Sequence, residues 1–100
     1  MVETVFSRNH VPIRLTGERW AHILEEHAEL AGMRDAVLDA VANASKIYAG
    51  TAGELLGLKQ TREGMWLVAV YREMVDDGFV ITAFLTQRIK SLERRKQLWP

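Results

Sequence analysis

The chain contains no cysteine. That excludes a disulfide framework and any thiolate metal site. No apolar run approaches the roughly 20 residues needed to cross a bilayer, so no membrane segment is expected. The opening residues Met1-Val2-Glu3-Thr4-Val5 have neither a basic start nor a long apolar centre. They do not read as a secretory leader, and a cytoplasmic location is the expectation. Gly50, Gly53, Gly57 and Gly64 are too scattered for a phosphate-cradling loop, and no serine sits in a nucleophile elbow. Internal repeats, low-complexity stretches and long linkers are also missing.

What is there is ordinary for a globular domain: 100 residues, 48% apolar and 26% charged. One domain spanning 1–100 with a single small core is the expectation. The balance of 13 basic and 13 acidic residues hides an asymmetry. Residues 1–86 hold 8 Lys and Arg against 12 Asp and Glu, whereas 87–100 hold 5 against 1. A basic end on an acidic domain suits phosphate, a solvated surface, or a clamp on the domain's own carboxylates.

Glycine 17 to Ala31 carries the clearest helical pattern. Thr16 is placed to cap it, with Glu18 in the first turn where a carboxylate suits the dipole. At about 100° per residue, Trp20, Ile23, Leu24, Leu30 and Ala31 share a stripe, with Glu25, Glu26 and Glu29 opposite. His27 falls within the apolar stripe and His22 among the glutamates. Gly32 is a natural stop. A second helix is expected over 33–43, with Met33, Val37, Ala40 and Val41 on one face.

Before these helices, residues 2–6 and 11–15 are β-prone, either a small hairpin or one bent strand. After them come strands at 45–49, 54–61, 65–73 and 79–86, joined by short turns; Asp76-Asp77-Gly78 is a hairpin signal. Short turns imply antiparallel neighbours. The expected architecture is α+β: a helical part over about 16–44, packed on one face of an antiparallel sheet of about four strands over 45–86. The basic segment 87–100 is expected to be a short helix and a tail, with Trp99 either folded back or frayed.

Several residues could carry chemistry. His27, turned toward a sheet, is a candidate general acid or base; the alternative is a buried ring bonded to a carbonyl. His22 pairs with Glu26 at i, i+4, but no third ligand can be named, so no metal is expected. No cofactor is expected either. Lys59, Arg72 and Arg88 lie near strand ends or turns and could hold a phosphate. Lys90, Arg94 and Arg95 extend that basic set, and Tyr71, Thr82 and Thr86 add hydroxyls. Thr82 and Thr86 share a strand face with Phe84.

Arg14-Leu15-Thr16, Glu18-Arg19-Trp20, His22-Ile23 and His27-Ala28-Glu29 together resemble the opening of a family of small bacterial and phage-associated proteins. The strands Leu67–Tyr71 and Phe79–Phe84 are similar too, so the likeness covers about residues 11–88. Ala28 departs from the family, which usually has proline after the second histidine. Such proteins resemble the barnase, EndoU, colicin and RelE superfamily of metal-independent ribonucleases and toxins. The resemblance implies helices followed by a four-stranded antiparallel sheet, and attack of an RNA 2′-hydroxyl on its neighbouring phosphate. It implies His27 as base or acid, Arg88 or Lys59 at the phosphate, Thr82 or Thr86 orienting it, and His22 as a further match. RNA and a cognate antitoxin are the implied partners. A catalysis-free RNA- or protein-binding module is the alternative. A homodimer is a third reading, with Trp66, Val68 and Val70 as the face that would mark it if exposed.

Overall fold

Alternation along Met65–Glu73 sets the layers. Leu67, Ala69 and Tyr71 point to one side and Trp66, Val68 and Val70 to the other, and both sets pack into apolar clusters. A strand buried on both sides sits in the middle of a wide sheet. The computed structural model describes residues 1–100. It runs β1 (Val2–Phe6), β2 (Pro12–Thr16), α1 (Gly17–Glu26), one 3-10 turn (Ala28–Leu30), α2 (Arg34–Ala42), β3 (Lys46–Ala49), β4 (Leu55–Arg62), β5 (Met65–Glu73), β6 (Gly78–Thr86), α3 (Ile89–Leu92) and β7 (Gln97–Trp99).

The expected four-stranded antiparallel sheet behind N-terminal helices is therefore wrong. One seven-stranded sheet is present, in the order β1-β2-β6-β5-β4-β3-β7. It is mixed, because β2 runs parallel to β6 through Arg14 and Phe79 while the other neighbours are antiparallel. Strands come before the helices as well as after them. The parallel pair has no local turn to announce it, since parallel strands need a long crossover, here the whole run from α1 to β5. Of the two readings for the N-terminus, the hairpin is the one observed, with Val2 opposite Thr16 and Phe6 opposite Pro12.

Helices do not share one face either. On the first face, α1 and α2 pack with the hairpin over 13 buried residues, among them Ile13, Leu15, Ile23, Val37, Leu67 and Tyr71. Gly57 lets α2 lie close: a Cβ there would stand 2.7 Å from the Ala40 carbonyl oxygen. The turn of the hairpin is tied to the end of β5, where the Ser7 hydroxyl donates to Glu73, and Asn9 donates to the same carboxylate at 2.9 Å. On the second face, Tyr48, Leu56, Leu58, Val68, Val70 and Leu92 form a smaller cluster. Residues 89–95 cross over it. Of the face named for a homodimer, Val68 is 0% and Val70 9% exposed, while Trp66 is half-buried.

Of the two readings for Trp99, the folded-back one is observed: β7 pairs with β3, and the Arg8 guanidinium lies 4.3 Å from the Trp99 ring centre. The first helix keeps its cap, with the Thr16 hydroxyl accepting from the Arg19 amide at 3.0 Å, but it ends at Glu26. His27 is its C-cap at φ −135° and ψ 68°, so the helical wheel does not govern that side chain, and Ala31 is exposed rather than in the stripe. No helix is long and apolar enough to cross a membrane.

Candidate functional site

The β5–β6 hairpin pairs Trp66 with Thr86 and Leu67 with Leu85. The residues just after Thr86 therefore lie beside the residues just before Met65. An open cleft of about 550 Å³ forms there, lined by Arg62, Met65, Leu85, Thr86, Gln87, Arg88 and Glu29. Arg62 closes β4 ahead of a turn at Gly64, whose φ of 78° suits glycine. The Thr86 hydroxyl accepts from the Arg88 amide at 3.0 Å and fixes the chain as it leaves β6. Glu29 comes from the 3-10 turn, which is anchored by buried Leu30.

His27 is not part of the cleft lining; it stands beside one lining residue, Glu29. Its Nδ1 is 3.5 Å from the Glu29 carboxylate, within ion-pair reach when the ring is protonated. Its ring centre is 6.2 Å from that of Phe84, tilted by 36°. The side chain is 31% exposed, so the ring is neither sealed in the core nor free in water. The cleft thus gathers a carboxylate, a hydroxyl, an amide and two guanidinium groups, with an imidazole beside the carboxylate. Neither Arg62 nor Arg88 has a carboxylate in ion-pair range. Such a set can bind an anion and move a proton beside it.

The other expected residues lie apart from the cleft. Lys59 is bound to Asp39 at 2.5 Å, and that hydrogen bond, helped by one from Asn43, holds the Asp39 carboxyl below its usual range. Arg72 sits at the opposite end of the sheet and donates to the Ala52 carbonyl at 3.0 Å. Tyr71 is fully buried in the first core, where desolvation strongly raises the pKa of its hydroxyl. The Thr82 hydroxyl is buried in mid-strand without a partner. Arg95 reaches the Ala49 carbonyl at 3.5 Å, at the far end from the cleft. His22 is exposed on α1, 3.9 Å from Glu26. Lys90 and Arg94 are exposed on the segment leaving the cleft.

Of the expected site, Thr86 and Arg88 line the cleft, and His27 stands beside its Glu29. Glu29 and Arg62 were missed as site residues. The signal for Arg62 was present: the Asp76–Gly78 turn sets the β5–β6 register, which puts the turn before Met65 next to Arg88. A second hollow of about 440 Å³ lies on α1 between Thr16, Glu18, Arg19, His22 and Glu25. Its two glutamates make it a poor place for an anion.

No protein-family model, curated protein or solved structure matches the chain. The resemblance drawn from the sequence therefore rests on its motif residues. The agreement in element order falls with the four-stranded expectation.

Proposed function

We propose that the cleft binds a phosphodiester of RNA and cleaves it without a metal ion. The observation that supports this most is the His27–Glu29 pair beside a cleft that Glu29 lines together with Arg62, Thr86 and Arg88. Arg62 and Arg88 hold the two free phosphate oxygens and offset the charge that grows on them as the phosphorane forms. Glu29 holds Nδ1 of His27, leaving Nε2 to accept the proton of the 2′-hydroxyl. The 2′ oxygen bonds to phosphorus as the bond to the 5′ oxygen breaks. The leaving oxygen takes a proton from water in the open cleft, and the hydroxide left behind takes the proton back from His27. The products are a 2′,3′-cyclic phosphate and a 5′-hydroxyl. Thr86 acts by fixing Arg88.

Incubation of the protein with RNA oligonucleotides in EDTA tests this. Cyclic-phosphate ends are expected from the wild type, and His27→Ala should lower the rate by about 10²-fold or more. Cleavage that needs added metal, or that continues in His27→Ala, overturns the assignment. Salt-sensitive RNA binding with no cleavage at all would leave the catalysis-free module as the correct reading.

A further inference from the structure

Eight of the 13 lysines and arginines have a carboxylate, a backbone carbonyl or an aromatic ring as partner. Five have none: Arg62, Arg88, Lys90, Arg94 and Lys96. These five are not scattered. Arg62 and Arg88 wall the cleft, and the others lie on the segment that leaves it. That segment crosses the second face of the sheet toward the end where the Ala49 amide donates to the Lys96 carbonyl at 2.9 Å. Lys90 lies in α3 and Arg94 two residues past its end, so both follow Arg88 along the crossing segment. The one carboxylate in the row, Glu93, is 3.9 Å from Lys46 and so is already opposed by a cation. The helix α1, which ends one residue before His27, carries Glu25 and Glu26, which repel phosphate.

We infer that Lys90 and Arg94 carry an RNA strand onward from the cleft, so the substrate is single-stranded RNA longer than two nucleotides. The inference rests on the RNA reading of the cleft. A row of single cations follows one phosphate backbone. A duplex would present a second backbone, and no unpaired cation outside the cleft and the row is left to meet it. Phosphates held along the row also fix the register of the strand, so that one particular phosphodiester lies between Arg62 and Arg88.

Uridylates of two and eight nucleotides with 2′-O-methyl groups, which lack the attacking hydroxyl, test this by fluorescence anisotropy across a salt series. The wild type should bind the octamer more tightly than the dimer, with a steeper loss in salt. Replacing Lys90 and Arg94 together by serine should lower the octamer's log–log salt slope by about 1.4, at about 0.7 per phosphate contact. The octamer's advantage over the dimer should shrink with it. An unchanged slope and advantage overturn the inference, as does equal binding of an eight-base-pair RNA duplex. Loss of octamer binding to phosphatidylserine vesicles, with the same dependence on Lys90 and Arg94, overturns it in favour of a lipid surface. If unmodified RNA is cut but the octamer's advantage survives the substitutions, the row fails and the cleft stands. If RNA is left whole while the octamer binds with the full slope, catalysis fails and the row stands. Binding of neither oligomer overturns both.

Discussion

The two faces of the sheet are built differently. The first is covered by two helices and buries 13 residues; the second is crossed by one short segment and buries six. Burial scales with apolar area removed from water, so the first face supplies most of the stability. The second face is lightly covered, and its cover carries the free cations. The domain separates a face that holds the fold from a segment that is available for a partner. The cleft lies where the two meet, since His27 and Glu29 follow α1 and Arg88 precedes α3.

That contrast predicts its own largest effect. Gly57→Val puts a branched side chain where even a Cβ would be 2.7 Å from the Ala40 carbonyl, with the Tyr71 ring at 3.3 Å. Steric displacement of α2 from β4 should abolish cooperative folding, seen as loss of the unfolding transition in circular dichroism. Next comes Leu67→Ala on the same face, expected to cost about 2–5 kcal/mol in urea denaturation. Leu92→Ala, from the cover of the second face, should cost less, about 1–2 kcal/mol, because Leu92 is 8% exposed and its surroundings can relax. Equal losses from Leu67→Ala and Leu92→Ala would erase the distinction between the faces.

How far the sequence could be read follows the same division. The first face was legible: Ile23, Val37 and Val41 followed helical spacing, Thr16 capped the helix, and the β5–β6 hairpin followed its Asp76–Gly78 turn. These are local signals, carried by residues within a turn or two of each other. The sheet's width was not legible. The pairing of β2 with β6 and of β3 with β7 joins residues far apart in sequence, and short strands such as Gln97–Trp99 have too few residues to show a period. His27 shows the same limit within the site. The wheel turned it inward, but the helix stopped one residue earlier, and the ring stands beside Glu29 instead.

A smaller effect is expected at the joint between the hairpin and the sheet. Ser7 is 3% exposed and its hydroxyl donates to Glu73. Ser7→Ala removes that donor from a carboxylate that keeps only Asn9, with an expected loss of about 1–3 kcal/mol. Because Ser7 lies at the end of β5 away from Thr86, RNA binding should be unaffected under conditions where the variant is folded. Loss of binding by folded Ser7→Ala would show that the hairpin shapes the cleft, contrary to the separation argued above.

The smallest effect concerns Asp39, whose carboxyl is held below its usual 3.8 by the hydrogen bonds from Lys59 and Asn43. A carboxylate with a lowered folded-state pKa favours the folded protein above the unfolded value. That contribution fades as pH drops through the folded value. The side chain is 43% exposed, so solvent screens the pair and the contribution stays below about 1 kcal/mol. Asp39→Asn should therefore be slightly less stable than the wild type at pH 7, and the gap should close below pH 3.8. Urea midpoints measured at both pH values check the sign. A gap that stays constant would mean that Lys59 is held by packing against α2 rather than by charge. Lys59 would then be available for an anion, and the confinement of free cations to the cleft and the segment beyond it would no longer hold.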